Sequence, residues 1–407
     1  MIATLTPEQN FILSCVQRTL GSTCSLQIES EMDWELATSL AAQQGVVALV
    51  YSALNASPSP VPPSVQNRLR AGYLAAVLHG KVWLEPALTK VVEALCTARL
   101  EPIVLKGAAL AYTAYPEPSF RSMSDVDLLL PAEQLKRASS ILLEMGFVIN
   151  AEQVEPDYHL RSHYPPGGRI GFELHRHVLP ESSPYRVDVN RLRERSRVAR
   201  LGTLEVPVLS PPDAVFLSCI HLAYTHRYER YPLRSLTDIL AITLRHGDCL
   251  DWDVVVREAL ISRASGAVYW PLKFARAWLG AAVPPQVLSR LAPSFPNSWF
   301  ISAVIEPTTL FNRDDSSEES DTVLRNLLRE LSLYTGCPVW VQLASIARSI
   351  FPPPTAVGHL PDSMTHSRLR YTLYLANPLR LVRGLIAVGR LLSKLPAHHD
   401  IPRLASR

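Results

Sequence analysis

The sequence lacks the features that mark several common classes of protein. No apolar stretch reaches about 18 consecutive residues, the length expected of a transmembrane helix. The six cysteines form no Cys-x-x-Cys pair, so neither a zinc ribbon nor a disulfide framework is indicated. No basic segment precedes an apolar one at the N-terminus, so no secretory signal is expected. We therefore expect a cytoplasmic protein without a transmembrane segment.

An excess of charge of one sign is also missing, and glycine is scarce. The 40 Lys and Arg against 37 Asp and Glu leave a net charge of +3. This excludes a globally basic nucleic-acid binder, and we expect no specific nucleic-acid partner. The 33 prolines outnumber the 17 glycines, which is typical of many helix starts and stiff connections. The absence of a P-loop, a dinucleotide-binding glycine motif and a Gly-x-Ser-x-Gly elbow leaves kinases and hydrolases of those kinds without support.

The hydrophobic period changes twice along the chain and divides it into regions. Helical spacing dominates at first, strands and helices then alternate, and helical spacing returns from Pro211. The predicted fold class is α/β (α+β), with helical regions on both sides of the core. The parts are an N-terminal helical region at 1–100, an α/β core at 101–210, a second helical region at 211–312, an acidic loop at 313–322 and a C-terminal helical region at 323–407.

The C-terminal region carries a basic amphipathic segment. Residues 345–407 hold nine Lys or Arg against two acids. Four of the basic residues recur on one face of a helix predicted at 379–395, namely Arg380, Arg383, Arg390 and Lys394. Such a helix either packs on the protein with a solvated basic edge or makes a weak contact with an anionic membrane surface, an acidic partner or a substrate.

Two carboxylates on alternate residues of one strand give the clearest chemical signal. Asp125 and Asp127 begin a predicted strand that continues into three leucines. Residues i and i+2 of a strand project from one face, roughly 7 Å apart along the backbone. Because two like charges side by side are unfavourable without a cation, the pair predicts Mg²⁺ held by carboxylates and substrate phosphates. The alternative is an exposed edge strand with two surface acids.

Further residues make this segment resemble a known family. Leu105-Lys106-Gly107 lies upstream with Arg121 between it and the two acids, and Glu173-Leu174-His175 lies downstream. Together with the Asp-x-Asp strand they resemble a family of uncharacterised nucleotidyltransferases within the DNA polymerase β-like nucleotidyltransferase superfamily. The resemblance covers roughly residues 100 to 245. It implies a polymerase β-like core with a mixed sheet, and a helical region after residue 211 that closes on the core.

The resemblance also implies an activity. It implies a Mg²⁺-dependent enzyme that moves a nucleoside monophosphate from an NTP to a hydroxyl of a small-molecule or peptide acceptor and releases pyrophosphate. Asp125, Asp127 and Glu173 would be the catalytic carboxylates that hold two metal ions, Mg²⁺ or Mn²⁺. Glu173 would help to deprotonate the acceptor hydroxyl.

The nucleotide-binding residues follow from the same resemblance. Lys106, Gly107, Arg121 and Ser124 would contact the triphosphate, with Gly107 allowing close approach at a helix N-terminus and the two cations neutralising phosphate charge. Ala108 stands where the superfamily usually has Ser, so one triphosphate contact is missing. This departure supports an alternative, in which a catalytically degenerate nucleotidyltransferase fold acts as a binding or regulatory module.

The histidines leave alternatives open. Glu173, His175 and His177 alternate along one predicted strand, so they could form a transition-metal site with His163 as a fourth ligand. In a second interpretation Glu173 is the third carboxylate and His175 faces the substrate or supports the site. In a third, the three residues form an ordinary polar strand face.

The helical region after Pro211 offers fewer signals. His221 and His226 are five residues apart, which matches a shared α-helical face poorly, so a zinc pair is not predicted. Arg234 and Asp238 are four apart and could form an ion pair along one helix. The resemblance allows a substrate role for His221 or Asp238, and the alternative is that these residues cap, hydrogen-bond or lie at the surface.

Overall fold

The computed structural model describes most of the first 293 residues of the chain. The described residues are 5–29, 31–56, 61–149, 155–168, 170–228, 231–293 and Cys337. The predicted acidic loop at 313–322 and the basic amphipathic helix at 379–395 lie outside the described residues.

The chain begins with a group of helices, as its sequence predicts. Thr6 caps the first helix in a reciprocal hydrogen-bonded arrangement with Gln9, and Pro7 occupies the first helical position. A π-helical segment at His79–Leu84 joins the last two helices without a break. The helices are α1 (Pro7–Thr19), α2 (Trp34–Gln43), α3 (Val47–Asn55), α4 (Pro63–Leu78) and α5 (Glu85–Thr97).

The strands of the described residues form one mixed sheet, which confirms the predicted fold class. Their order across the sheet is β3-β4-β5-β2-β1-β7-β6. The central strand β2 is parallel to β5 and antiparallel to β1. The strands are β1 (Ile103–Val104), β2 (Asp125–Leu129), β3 (Val148–Ile149), β4 (His163–Tyr164), β5 (Gly171–His175), β6 (Arg197–Leu201) and β7 (Leu204–Val208).

One face of β2 and β5, at the centre of the sheet, is apolar, and its burial holds these two strands in place. Leu128 and Leu174 are fully buried neighbours on β2 and β5. Helices α6 (Lys106–Thr113) and α7 (Leu135–Glu144) pack on the sheet and contribute to the same apolar core. Polar residues at the start of β2 therefore project from a rigid support.

Two parts of the sheet differ from the sequence prediction. The apolar run at 102–107 predicts a strand followed by a turn and a helix, but only Ile103 and Val104 form the strand, because α6 begins at Lys106. The hairpin of β6 and β7 was not predicted, although Leu204 and Val206 are buried and Glu205 between them is exposed. Its two-residue turn uses Gly202 with a φ of +64°, the left-handed conformation that hairpin turns favour.

Helices follow the last strand, again as the sequence predicts. A π-helical segment at His221–Thr225 continues the first of them. None of the helices in the described part of the chain has the length and apolar character needed to span a bilayer. Helix α8 (Val189–Glu194) lies between β5 and β6, and the helices after β7 are α9 (Pro211–Ile220), α10 (Pro232–His246), α11 (Trp252–Ile261), α12 (Ser265–Leu279) and α13 (Pro285–Leu291).

A buried ion-pair network joins the hairpin to these helices. Arg195, between α8 and β6, donates two hydrogen bonds to Asp213 at 3.0 and 2.7 Å and a third to Glu258 at 3.0 Å. Asp213 lies in the first turn of α9 and also accepts a hydrogen bond from Ser210 at 2.5 Å. Both carboxylates are buried, so each needs a cation. Arg195 supplies it for Asp213, and Glu258 also contacts Arg191 at 3.5 Å.

We predict that Asp213→Ala lowers the free energy of unfolding by about 3 kcal/mol, because it removes a fully buried carboxylate that is the main partner of the half-buried Arg195 guanidinium. Asp253→Ala is the matched control, since Asp253 lies in the first turn of α11 and pairs with Arg290 at the surface. It should cost no more than about 1 kcal/mol. Urea denaturation measures both changes, and equal losses would contradict the structural role of the network.

Candidate active site

Two of the predicted carboxylates face each other across neighbouring parallel strands. The register of β2 and β5 pairs Asp127 with Glu173, and it places Asp125 opposite Gly171. Asp127 is buried, Glu173 is half-buried, and Asp125 is exposed where β2 begins. Because side chains alternate along a strand, Asp125 and Asp127 project from the same face. Ser124 precedes them and is also exposed.

A histidine connects the paired carboxylates. Nε2 of His175 lies 2.8 Å from Oδ1 of Asp127 and 3.4 Å from Oε2 of Glu173. Both oxygens are therefore close to one nitrogen, and their separation is well inside the limit of about 10 Å for a shared two-metal site. Ser162 donates a hydrogen bond to the other oxygen of Glu173 at 3.1 Å. Oε2 of Glu173 is thus the oxygen directed towards Asp127.

Lys106 supplies a cation to the same point. It is the first residue of α6, and its Nζ lies 2.9 Å from Oδ1 of Asp127. Its backbone has a φ of +47°, which a residue with a side chain rarely adopts. Leu105, the preceding residue, offers no side-chain cap, so the first N–H groups of α6 have no side chain bonded to them there. The helix start therefore combines an ammonium group with free backbone donors.

The pKa values of the two aspartates on β2 move in opposite directions. Burial opposes the charge of Asp127, but Lys106 and His175 outweigh it and hold the pKa of Asp127 below its ordinary range. Desolvation and then repulsion by Asp127 raise the pKa of Asp125. Burial also opposes a charge on His175, but the Asp127 and Glu173 carboxylates raise its pKa. Asp127 is therefore neutralised by the protein, whereas Asp125 gains most from an added cation.

Arg121 is held by a carboxylate from a distant helix. Its Nε and Nη2 donate to the two oxygens of Asp238 on α10 at 2.6 and 2.9 Å, and Tyr115 donates to the same carboxylate at 2.7 Å. The guanidinium lies against Gly107, where an added Cβ would be 3.3 Å from Nη1. Asp238 is therefore the partner of Arg121. The ion pair predicted between Asp238 and Arg234 is wrong, because no contact between those two residues falls within ion-pair distance in the described chain.

Arg234 instead lies near the start of β2. Its guanidinium stacks 4.1 Å from the ring centre of Tyr231 and donates to the backbone carbonyl of Ser122 at 3.3 Å. The hydroxyl of Ser122 donates to the carbonyl of Gly45 at 3.0 Å. The turn between α2 and α3 thus contacts the loop that leads into the aspartates, so the N-terminal helices frame this side of the site.

His221 and His226 are in contact, contrary to the interpretation of their spacing. The π-helical segment bonds the N–H of His226 to the carbonyl of His221 at 2.8 Å, and the ring centres are 4.1 Å apart. A five-residue step matches a π-helical turn, so the two rings share a face. His221 is half-buried, and desolvation followed by the nearby Lys106 charge holds its pKa well below the ordinary value. Together with Arg121 and Asp238, His221 and Lys106 line a cavity beneath α6.

The histidines around Glu173 differ from those expected. Both ring nitrogens of His177 bond backbone groups of Leu179 and Val187, so His177 does not share the face of Glu173. His163 bonds the hydroxyl of Ser139 at 2.8 Å and is not part of the group around Glu173. His159, which the sequence pattern does not indicate, is the histidine that lies beside Glu173 together with His175. Its Nε2 is 3.7 Å from Oε2 of Glu173. Sequence spacing gives no signal for His159, because it reaches the site through an isolated bridge to His175.

Comparison with known proteins gives the chain a family. Residues 30–280 match the model of a family described as uncharacterised nucleotidyltransferases. The chain belongs to this family. The match includes most of the N-terminal helices and extends past α12, further in both directions than the resemblance seen in the sequence. No curated protein and no solved structure matches the chain.

The donor atoms of this nucleotidyltransferase suit a divalent cation. Asp125, Asp127 and Glu173 offer carboxylate oxygens on one face of the sheet, and hard cations such as Mg²⁺ prefer oxygen ligands. Asp125 has no cationic partner within ion-pair distance among the described residues. Asp127, by contrast, is buried, and the ammonium of Lys106 contacts it and offsets its charge.

We predict that Lys106→Met destabilises the metal-free protein by about 3 kcal/mol, because it leaves the buried Asp127 without its lysine partner. Added Mg²⁺ should restore much of this loss. Thermal denaturation with and without Mg²⁺ measures both effects. Lys81→Met is the control, since Lys81 forms an exposed pair with Glu85, and it should cost about 1 kcal/mol or less under both conditions. An equal loss with and without Mg²⁺ for Lys106→Met would contradict the interpretation.

Proposed function

We propose that this chain transfers a nucleoside monophosphate from an NTP to a hydroxyl of a small-molecule or peptide acceptor and releases pyrophosphate. The observation that carries the proposal is the pairing of Asp127 with Glu173 on adjacent parallel strands, with Asp125 on the same face. Membership of a nucleotidyltransferase family supports the reaction class. A scaffold without activity has no need of three acids at one edge of an apolar sheet.

Asp125, Asp127 and Glu173 would hold two Mg²⁺ ions, or Mn²⁺ in their place. When bound, such ions would offset the negative charge that develops on the phosphates during transfer. The raised pKa of Asp125 shows that its ionised form is disfavoured without a cation. Lys106 and the two histidines supply positive charge to Asp127 and Glu173, whereas Asp125 has no cation within ion-pair distance among the described residues.

The start of α6 would receive the triphosphate. Lys106 faces the carboxylates, and its ammonium can move from Asp127 to a phosphate oxygen when a cation takes its place. The N–H groups near Gly107 point out of the helix start, where an anion is favoured. Ser124 lies beside Asp125 and offers a hydroxyl. Arg121, held by Asp238, would keep its positive charge next to Gly107.

Glu173 is the group best placed to help remove the proton of the acceptor hydroxyl. Its Oε1 already accepts from Ser162, while Oε2 faces the interior of the site. The acceptor hydroxyl would attack the α-phosphorus as its proton passes towards this side, and His175 would hold the carboxylate in position. His221 and Asp238 line the adjoining cavity with Lys106, which is the space available for part of the substrate.

We predict that Asp125→Asn, Asp127→Asn and Glu173→Gln each reduce transfer by about 10² or more, the cost of removing one positioned catalytic group. Losses in double variants should be far from additive, because the acids act as one unit. Each protein is incubated with α-³²P-labelled NTP, Mg²⁺ and fractions of a small-molecule and peptide extract, and both labelled product and pyrophosphate are measured.

Glu205→Gln is the control for these substitutions, since Glu205 is an exposed glutamate on β7 of the same sheet. It should transfer the label at the wild-type rate. Wild-type activity in any of the three acid variants would refute the three-carboxylate mechanism. Binding of NTP by the wild-type chain without transfer to any fraction would instead support the binding or regulatory module.

Substitution of Asp125 and of Asp127 should change the free energy of unfolding in opposite directions, although the sequence alone gives no reason to distinguish the two residues. The raised pKa of Asp125 means that its charge costs stability at neutral pH, a cost that disappears below the ordinary carboxyl range. We therefore expect Asp125→Asn to stabilise the metal-free protein slightly. Asp127→Asn removes the partner of Lys106 and should destabilise it by about 3 kcal/mol. Urea denaturation without divalent ions tests this, and equal effects would contradict it.

A further inference from the structure

One of the three carboxylates, Glu173, lies close to two histidines that the proposed Mg²⁺ site does not require. His159, Glu173 and His175 each offer one ligand atom, and these atoms lie within 4.8 Å of one another. Both histidines are buried, and Glu173 is half-buried. In the described residues this is the one such group of histidine and carboxylate ligands.

The backbone fixes the orientation of both imidazole rings. Nδ1 of His159 lies 2.7 Å from the carbonyl oxygen of Leu160, and Nδ1 of His175 lies 3.2 Å from that of His177. A carbonyl oxygen only accepts, so each Nδ1 carries the hydrogen and donates it. Nε2 is then the atom left for a ligand in both rings. Metal-binding histidines are typically oriented by such a bond from the other ring nitrogen.

His175 provides a second, independent observation. Its Nε2 is buried and makes no aligned hydrogen bond, although Asp127 and Glu173 oxygens lie within 3.4 Å. A buried polar atom without a well-directed partner is costly unless something else binds it. The position that faces this nitrogen is lined by carboxylate oxygens, which favours a cation there.

Two of the three spacings in this group match the edge of a tetrahedral site, and the third is within 4.8 Å. Oε2 of Glu173 lies 3.4 Å from Nε2 of His175 and 3.7 Å from Nε2 of His159. The edge of a tetrahedron with metal–ligand bonds of about 2.0–2.1 Å is about 3.4 Å long. Imidazole nitrogens suit borderline transition-metal ions, whereas Mg²⁺ takes oxygen ligands.

We propose that His159, Glu173 and His175 bind one divalent transition-metal ion of the Zn²⁺ type, with a fourth position left open. Three protein ligands and one open position are typical of reactive rather than purely structural zinc sites. Glu173 would then belong to both this site and the Mg²⁺ site. The inference rests on the proposed function only for that double role, and binding of the ion stands on geometry alone.

The test uses the full chain, freed of metal with a chelator and titrated with Co²⁺ and Zn²⁺. We expect the intense visible absorption of four-coordinate Co²⁺, displaced by Zn²⁺ at one equivalent, and calorimetry should give the Zn²⁺ affinity. His159→Gln and His175→Gln should each weaken Zn²⁺ binding by about 100-fold and abolish the Co²⁺ bands, since each removes a ligand.

His177→Gln and His163→Gln are the matched controls, because both histidines are close in sequence but bond other groups. Both should retain the Co²⁺ spectrum and the Zn²⁺ affinity. Circular dichroism and the denaturation midpoint show whether each variant is folded, and His159→Gln is informative even if the more buried His175 variant is not. Unchanged Zn²⁺ binding in His159→Gln, or weak octahedral Co²⁺ bands in the wild type, would overturn the inference.

Asp125→Asn separates this inference from the proposed function. It should lose nucleotidyl transfer and keep the Co²⁺ spectrum, because Asp125 is outside the histidine group. Glu173→Gln should lose both. A wild-type chain that binds Co²⁺ through the histidines but transfers no nucleotide would refute the proposed function and leave the metal site standing, and transfer without histidine-dependent Co²⁺ binding would do the reverse.

Discussion

The contact of the Asp127 carboxylate with Lys106 and His175 governs the rest of the site. This carboxylate is buried on the central strand of the sheet, where an unpaired charge would be unstable. Lys106 neutralises it at 2.9 Å, which requires α6 to begin directly after β1 with a left-handed residue. His175 contacts the same oxygen at 2.8 Å and so links β5 to β2 in the observed register. Asp125 and Glu173 therefore lie around an Asp127 carboxylate whose charge Lys106 and His175 already offset.

Much of this arrangement could be predicted from the sequence because strands alternate. Asp125 and Asp127 had to share a face, and the buried leucines after them had to place that face on a sheet. Glu173 was identified through a family resemblance, but its register opposite Asp127 depends on strand pairing, which no local pattern encodes. The helical regions were predictable for the same reason as the strands, since apolar periodicity follows burial.

What could not be predicted depends on contacts between distant segments or on unusual helix geometry. Asp238 bonds Arg121 across 117 residues instead of its neighbour Arg234, because α10 presents it to the sheet. His159 joins Glu173 from a segment with no regular structure. The rings of His221 and His226 meet because the chain makes a π-helical turn, whereas the α-helical spacing assumed from sequence keeps them apart.

The close contact between Gly107 and the Arg121 guanidinium limits which substitutions the cavity beneath α6 can accept. A side chain at Gly107 would have to displace a buried cation whose two hydrogen bonds to Asp238 reach α10. Thr113 and Leu217 also line the cavity, and neither carries a charge. Shortening these two side chains would therefore enlarge the cavity and leave the pair of Arg121 and Asp238 intact.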